Sequence, residues 1–218
     1  MKKYFPVLKK CPLFRDIREE DYSALMGCFA ALPQRYEKGE VILAEGDPAE
    51  YVGIVLSGAV QVVRVDYYGN RSILTKLGPA GIFAEAFSCA GMPTMPVSVV
   101  AAEETEVLLL RAHHIIHSCG EACHFHQQLI YNLLQVVAMK NLACNQKIEI
   151  MSRRTTREKL MAYLLTVAKQ KGSSFSIPYD RQELADYLEV DRSGLSAEIS
   201  KLRKEGVLLC RKNEFTLL

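Results

Sequence analysis

The sequence predicts an α+β fold made of an antiparallel β-roll, a long helix and a winged helix-turn-helix, in that order along the chain. Short β-rich runs separated by turn residues occupy residues 34–111. A stretch free of glycine and proline follows at about 124–151, and two amphipathic helical patterns with a basic hairpin come after it. We therefore expect a roll domain at 1–122, a long helix at 123–151 and a winged helix-turn-helix domain at 152–218.

The β-rich region predicts a compact antiparallel roll or barrel. Its turns are Lys38-Gly39, Gly46-Asp47-Pro48, Tyr68-Gly69-Asn70 and Gly78-Pro79, and its candidate strands are VILAEG, YVGIVLSGAVQVVRVD, RSILTKLG, PVSVVAAE and TEVLLLR. From Gln61 to Asp66 polar residues and valines alternate, which predicts polar side chains outside and valines inside. A barrel of this kind can hold one small ligand.

The long helical segment carries two apolar lines. One has the alternating spacing of four and three residues that is typical of a coiled coil, and consists of Ile130, Leu134, Val137, Asn141, Cys144, Ile148 and Met151. The second line consists of Leu129, Leu133, Val136 and Ala143. A helix with two apolar faces needs two partners, so we expect one face to pack on the chain's own roll and the other on a second copy. The alternative is a helix buried inside a monomer.

Two short amphipathic helices are predicted in the last forty residues. Their inward faces consist of Leu184, Ala185 and Leu188 in the first helix and Leu195, Ile199 and Leu202 in the second. Asp180 with Glu183 three residues later forms a capping-box pattern, and Asp191 stands where the second helix needs its N-cap. Glu189 occupies the turn, where glycine is common, so the turn either avoids positive φ or carries strain.

The polar face of the second helix predicts an interface with DNA. A helix in the major groove presents its N-terminal side chains to the bases, and an arginine there can bond both acceptors of a guanine. Arg192 is our candidate for that role, with Ser193 and Ser196 beside it. The cations expected to contact phosphates are Arg181, Lys201, Arg203 and Lys212. The alternative is a solvated charged face on an ordinary helical hairpin.

Composition and charge are consistent with a globular DNA-binding protein. The 218 residues are 49% hydrophobic but contain no run of about 20 apolar residues and no long apolar signal core, so we expect a cytoplasmic protein with no membrane partner. Seven scattered cysteines fit reduced thiols better than a disulfide framework. From residue 152 onward thirteen Lys and Arg stand against nine Asp and Glu, so the basic surplus lies with the helix-turn-helix.

An enzyme is not expected from the motifs in this sequence. The candidate strands contain no histidine for a metal site inside a barrel, and the chain has no Gly-rich phosphate loop, nucleophile elbow or zinc-protease motif. Two function classes remain. One is a ligand-gated regulator of transcription, and the other is a redox, metal or haem sensor with the same DNA output.

The order of β-roll, long helix and winged helix-turn-helix resembles the Crp/Fnr family of bacterial regulators, the family of the cyclic-AMP receptor protein and FNR. The resemblance covers almost the full chain and is carried by CPLFRDIREEDYSALM, EKGEVILAEGDPAEYVGIVLSGAVQVV, TTREKLMAYLLTVA and RQELADYLEVDRSGLSAEISKLRKEG. It implies a homodimeric transcription regulator whose effector, bound between roll and long helix, reorients two reading heads on a palindromic operator. Double-stranded DNA and, as a candidate, RNA polymerase would be its partners.

The family's recognition helix reads bases through a first arginine, a glutamate and a second arginine. The matching positions here hold Arg192, Ser193 and Ala197, so only the first arginine is kept. The resemblance therefore implies an operator that is related to the family's best-known one but distinct from it.

The family's cyclic-nucleotide cassette is altered in this chain. Glu85 matches its glutamate, but the arginine that neutralises the cyclic phosphate is absent, with Pro96 at or next to its place. No Lys or Arg lies between Lys76 and Arg111, so a buried phosphate would lack a counter-ion. We therefore expect no tight binding of cyclic AMP or cyclic GMP.

An unidentified small molecule, apolar or aromatic, is expected in the roll pocket instead. The candidate effector-binding residues are Glu85, Ala86, Phe87, Ser88, Met95, Asn141 and Asn145, the two asparagines by their position in the family. The alternative is that the residues of the roll simply pack its core, since Phe and Met are usually core residues.

A segment rich in histidine and cysteine suggests a metal or haem site. Residues 113–126 hold all five histidines, and the candidate ligands are Cys119, Cys123 and His126, because thiolate and imidazole suit zinc, iron or haem. No C-x-x-C motif is present, and the alternative is a surface or packing role. A redox-, metal- or haem-dependent transcription sensor is thus the second functional hypothesis, while the first needs no metal and no cofactor.

Overall fold

A computed structural model describes residues 2–29, 31–116 and 124–218. Its helices are α1 (Phe5–Leu8), α2 (Tyr22–Cys28), α3 (Glu85–Cys89), α4 (Ala112–Ile116), α5 (His124–Met151), α6 (Thr156–Lys171), α7 (Arg181–Leu188) and α8 (Arg192–Lys204). Its strands are β1 (Leu32–Tyr36), β2 (Val41–Leu43), β3 (Tyr51–Ser57), β4 (Val60–Val65), β5 (Arg71–Leu77), β6 (Ile82–Phe83), β7 (Ser98–Ala101), β8 (Thr105–Arg111), β9 (Ser174–Ser176), β10 (Leu208–Arg211) and β11 (Glu214–Leu217). The α+β fold is confirmed, with the β-rich runs and the long helix where the sequence predicts them.

Two antiparallel sheets form the roll, with the strand orders β1-β8-β3-β6 and β2-β7-β4-β5. Strands β1 and β6 are absent from the predicted runs. Strand β6 has only two residues, and β1 lies at the edge of its sheet and contains Pro33, so neither carries a strong strand pattern.

Strand β4 corrects the predicted alternation of outward polar residues and inward valines. Gln61 is buried, whereas Val65 is exposed. The four residues from Val60 to Val63 are all buried, and the last two residues of the strand are exposed. Burial in β4 therefore follows the position along the strand, from the sheet interior to the turn. The assignment of faces from the sequence is wrong here, because the start of β4 is covered on both faces.

Two apolar cores stabilise the roll. One lies between the sheets and includes Val55, Val60, Phe83, Met95, Val99 and Val107. The other covers the opposite face of the first sheet and includes Leu8, Phe14, Leu25, Ile54, Leu108 and Leu129. Gly53 of β3 is required by this packing, because a Cβ there would lie 2.0 Å from the ring of Phe83. The roll is thus a packed scaffold with helices layered on one side.

The chain packs as two units. One is formed by residues up to 65 together with 74–141, and the other by 66–73 together with 142–218. The division falls within α5, whereas the sequence places a boundary at the end of that helix. The division into three domains, 1–122, 123–151 and 152–218, stays a prediction.

Helix α5 has the predicted bounds and the predicted two-sided character. Leu129, Leu133 and Val136 are buried in the core of the first unit, which confirms that one face packs on the chain's own roll. Ala143, the last member of this line, is exposed instead. The coiled-coil line, which we call the seam, is exposed apart from the half-buried Met151, with values of 41% for Ile130, 65% for Leu134, 36% for Val137 and 65% for Ile148. Among the described residues, none of the helices has the length and hydropathy of a transmembrane span.

Helices α6, α7 and α8 and the sheet β10-β11-β9 complete the second unit. Helix α6 begins at a capping box, in which Thr155 accepts from the N–H of Glu158 and Glu158 accepts from the N–H of Thr155. The rings of three tyrosines pack together, with centroids 4.8, 5.3 and 6.3 Å apart: Tyr163, Tyr179 and Tyr187. Three helices with a two-stranded hairpin make up the predicted winged helix-turn-helix, the hairpin being the wing.

Candidate nucleic-acid interface

Helices α7 and α8 form the helix-turn-helix. Asp180 caps α7 through a capping box with Glu183, and Asp191 caps α8 by accepting from the N–H of Gly194 at 2.8 Å. All six residues predicted to face inward are buried: Leu184, Ala185, Leu188, Leu195, Ile199 and Leu202. The caps and the inward faces predicted from the sequence are therefore confirmed.

The turn between the two helices is strained. Glu189 has φ 52° and ψ 56°, a left-handed conformation that favours glycine, so the second of the two alternatives for this turn applies. Lys159 of α6 donates to the carbonyls of Leu188 at 3.3 Å and Glu189 at 3.5 Å. Its ammonium stabilises the C-terminus of α7, where the helix dipole favours a cation.

The first turn of α8 carries the predicted base-reading residues. Arg192 is the first residue of the helix, and its side chain is exposed. The Ser193 hydroxyl donates to the Asp191 carboxylate, and this bond, together with the N–H of Gly194, holds the pKa of Asp191 below its usual value. Ser196 is half-buried. Arg192 is therefore the long, solvated side chain at the helix N-terminus, while Ser193 also takes part in the cap.

The predicted phosphate-contacting cations differ in their surroundings. Lys201 and Arg203 are exposed in the last turns of α8, and Lys212 is exposed at the tip of the wing. Arg181 lies against the wing, because its guanidinium donates to Cys210 Sγ at 3.4 Å and lies 6.0 Å from the ring centre of Phe215. Arg181 thus links α7 to the wing, and its contact with a phosphate remains a prediction.

Helix α8 is anchored to α6 by Arg157. The guanidinium donates to Glu198 at 3.3 Å and to Glu205 at 2.6 Å. These charge-assisted bonds hold two separate points of α8 and so fix the direction of the helix that carries Arg192. Sequence reasoning missed this contact, because the partners are 41 and 48 residues apart and an arginine at the start of a helix has no distinctive pattern.

The roll contains an internal ion pair at the position assigned to a ligand-binding glutamate. Glu85 is only 2% exposed, and its carboxylate accepts from Nζ of Lys140 at 2.8 Å. The same ammonium donates to the carbonyl of Ile82 at 2.5 Å. Glu85 opens α3 directly after Ala84, whose φ of 64° is left-handed. The carboxylate that the family resemblance assigns to ligand binding is therefore paired with a lysine of α5. No local sequence pattern predicts this contact, because the two residues are 55 positions apart.

The residues of the roll lack the phosphate-binding arginine that the family has. No Lys or Arg lies between Lys76 and Arg111, and the Lys140 ammonium pairs with Glu85. The expectation that cyclic AMP and cyclic GMP do not bind tightly stays a prediction.

The other candidate effector residues lie in mixed surroundings. Ala86 is exposed, and Phe87 is half-buried against the core between the sheets. Ser88 is buried and donates to the carbonyl of Ala84 at 3.0 Å, and Met95 is buried in the same core. These contacts are those expected if Ser88 and Met95 pack the roll. Asn141 and Asn145 are both exposed on α5, the first in one unit and the second in the other. The effector-binding role of all seven remains a prediction.

Of the candidate metal ligands, Cys119 and Cys123 lie outside the described residues. His126 is buried, with Nε2 3.1 Å from the carbonyl oxygen of Ile115 and with Nδ1 lacking a hydrogen-bond partner. Among the described residues, no group of three His, Cys, Asp or Glu side chains is arranged to hold a metal ion. The structure thus places one candidate, His126, and places it in packed surroundings.

Comparisons with known proteins match both parts of the chain. A cyclic nucleotide-binding domain matches residues 33–119, and a Crp-like helix-turn-helix domain matches residues 158–218. The chain is 26% identical to the cyclic AMP receptor protein of Thermus thermophilus, over 92% of this chain and 89% of that protein. It is 22% identical to the transcriptional activator protein FnrL of Cereibacter sphaeroides, over 79% of this chain and 71% of that protein.

Solved structures share the fold. FixK2 from Bradyrhizobium japonicum has a TM-score of 0.68 at 24% identity, over 86% of this chain and 92% of that one. The c-di-GMP responsive global regulator CLP from Xanthomonas campestris has a TM-score of 0.72 at 16% identity, over 90% of this chain and 98% of that one. The order of roll, long helix and helix-turn-helix is therefore found in known structures.

Proposed function

The chain belongs to the Crp/Fnr family of transcription regulators, and from that premise we propose that it is a homodimer that reads a palindromic operator under the control of a small molecule in the roll pocket. The family regulates transcription and does not catalyse a reaction. The observation that carries the proposal is the exposure of Arg192 at the capped N-terminus of α8, a helix whose apolar face is buried. Because its target is DNA and its family is bacterial, the cytoplasm is the proposed site of action.

Arg192 is the proposed base reader. Its position in the first turn of α8 is the position from which side chains reach base edges in the major groove. Lys201 and Arg203 follow about two and a half and three turns later along the helix. Both suit phosphate contacts, which are independent of sequence. Ala197 cannot replace the family's second arginine, so the operator is expected to differ from that of the cyclic-AMP receptor protein.

The test of base reading is a comparison of two variants on DNA selected from a random library. Arg192→Ala should lose about 1–3 kcal/mol of discrimination at one base pair in each half-site, because a bidentate contact with guanine is removed. Lys201→Ala should weaken binding to all sequences alike and lower its salt dependence. Fluorescence anisotropy with single-base operator variants measures both. If Arg192→Ala weakened all sequences equally, Arg192 would be a phosphate contact and the proposed reader would be wrong.

The proposed dimer rests on the exposed seam of α5. Its large apolar side chains follow coiled-coil spacing and are solvated in the single chain, whereas the other apolar line of the same helix is buried. Asn141, the polar member of the seam, would fix the register of two parallel helices at some cost in stability. Cys144 lies on the seam and is exposed.

Cys144 provides a direct test of the dimer. In a parallel, in-register pair the same seam residue of both copies meets across the symmetry axis. Mild oxidation of the purified protein should therefore yield a disulfide-linked dimer on a non-reducing gel, and Cys144→Ser should abolish it. Native mass spectrometry without oxidant gives the oligomeric state independently, and a monomer at micromolar concentration would overturn the proposal.

The proposed effector is not a cyclic nucleotide. The lack of any Lys or Arg between Lys76 and Arg111, where the family has its phosphate-binding arginine, opposes a cyclic phosphate. Calorimetric titration with cyclic AMP and cyclic GMP should show no binding at micromolar concentrations, and micromolar affinity for either would refute this part of the proposal. A contact with RNA polymerase, the further proposed partner, is tested by transcription in vitro from a promoter that carries the selected operator.

A further inference from the structure

A groove between the roll and α5 has the properties of a small-molecule site. It has a volume of about 590 Å³, within the range of small-molecule sites. Its apolar walls come from Pro12, Leu77, Ala80, Ile82, Val136 and Met139. Asn132 of α5 also lines it. Its amide donates to the carbonyls of Leu13 at 2.9 Å and Arg15 at 2.7 Å and so fixes the N-terminal segment on the helix.

The groove extends along α5 from the side opposite the seam to the side next to it. Gln135 and Met139 line it, and each is two residues from Val137 of the seam. Two residues correspond to a rotation of about 200° on a helix with 3.6 residues per turn. Gln135 and Met139 therefore lie on the side of α5 opposite the seam, whereas Lys140, three residues from Val137, lies beside it.

The charge of the groove is positive. Among the described residues that line it, the ionisable side chains are Arg15 and Lys140. Arg15 is exposed at the rim, and the Lys140 side chain, 35% exposed, reaches from the groove to the buried carboxylate of Glu85. An apolar trough with two cations on its wall suits a ligand that has one anionic group on an apolar body.

We propose that this groove binds a small amphipathic carboxylate, with its apolar body against Leu77, Val136 and Met139 and its carboxylate between Arg15 and Lys140. The ligand carboxylate and Glu85 then compete for the same ammonium. Binding in the groove thereby weakens the bond that ties α3 to α5, next to the left-handed Ala84. Ligand binding itself is independent of the proposed DNA-binding function and is measured without DNA.

The first experiment compares decanoate with 1-decanol, both below their aggregation concentrations, by calorimetry on the full chain. The two probes share an apolar body and differ in charge. Decanoate should bind at least about tenfold more tightly, and Arg15→Gln should remove most of that difference. The matched control is Arg18→Gln, which removes an arginine that pairs with Glu20 and Asp21 outside the groove and should leave decanoate affinity unchanged. Equal affinities of the two probes would overturn the proposal.

Two further variants locate the ligand. Met139→Trp fills the groove and should abolish decanoate binding, and it also gives a chain without tryptophan a fluorescent reporter. Glu85→Gln removes the competing carboxylate while keeping its shape, so decanoate affinity should rise severalfold in a variant whose circular dichroism matches the wild type. A purely structural ion pair predicts no rise. Unaltered affinity in both variants would show that decanoate binds elsewhere and would overturn the proposal, while operator binding by Arg192 would stand or fall separately.

Discussion

Glu189 shows how one backbone conformation shapes the reading head. Its left-handed φ closes the turn between α7 and α8, and such a conformation costs a non-glycine residue about 1 kcal/mol. The sequence singles out this position because glycine is common there, but the choice between strain and a different turn needs the backbone itself.

We expect Glu189→Gly to stabilise the protein by about 0.5–1 kcal/mol, because glycine adopts this φ without a Cβ clash. Glu189→Ala is the matched control, since it removes the same carboxylate but keeps the Cβ. Urea unfolding followed by circular dichroism measures both. An equal gain in the two variants would assign the effect to the charge of Glu189 and not to its backbone.

Lys147 of α5 contacts both Ile73 of β5 and Tyr187 of α7. Its ammonium donates to the carbonyl of Ile73 at 2.7 Å and lies 4.1 Å from the ring centre of Tyr187. Burial lowers the pKa of Lys147 to about 8, although Glu189 and Cys144 nearby favour its charged form. The folded state therefore binds this proton less tightly than the unfolded chain does.

The stability contributed through Lys147 should rise with pH. Its folded-state pKa lies below the unfolded value of 10.5, so between pH 8 and 10.5 the unfolded chain holds more protons and stability increases. Relative to Lys147→Met, which has no titrating group, the wild type should gain about 2 kcal/mol of unfolding free energy between pH 7 and 9.5. Urea unfolding of both proteins at the two pH values gives this difference, and a constant difference would contradict the assignment.

At the scale of the element, α5 is the part that the sequence predicts best. One of its two apolar lines is buried against the roll, and the other is exposed. The lack of glycine and proline gave its bounds, and the spacing of its apolar residues separated the buried line from the seam. The capping box at Asp180 is likewise predicted from its local sequence pattern. The face alternation in β4 failed because burial on both sides of a strand is set by neighbouring strands. The Glu85–Lys140 pair and the Arg157 contacts depend on residues far apart in sequence, which no local pattern reports.

The seam can be tested against an equally exposed position on the same helix. Leu134 is 65% exposed on the seam and Met139 is 66% exposed on the opposite side. Leu134→Glu should weaken the dimer by at least about 100-fold, because it places two like charges in an apolar interface, whereas Met139→Glu should leave it intact. Sedimentation velocity over a range of concentrations measures both. If the two variants dissociated equally, the dimer would not form through the seam.

At the scale of the whole molecule, the proposed dimer determines the spacing between the two half-sites of the operator. Two copies of α8 related by a two-fold axis should read half-sites about one helical turn apart, roughly 34–36 Å. Insertion of five base pairs between the half-sites turns them to opposite faces of the duplex. Affinity should then fall by about 100-fold or more, to the level of a single half-site. A DNA with one scrambled half-site is the control, and an affinity insensitive to the insertion would contradict simultaneous reading by two heads.

The packing of residues 66–73 with the C-terminal part of the chain has a consequence for gene fusion. In sequence this short segment lies within the roll, but it packs with residues 142–218. The carbonyl of Ile73 accepts a hydrogen bond from the ammonium of Lys147. A C-terminal fragment that begins at residue 142 or 152 therefore lacks residues 66–73, which pack with it in the full chain. Chimaeras that join the DNA-binding part of this protein to the roll of a relative must therefore also carry over residues 66–73. A single crossover in the gene would exchange an incomplete unit.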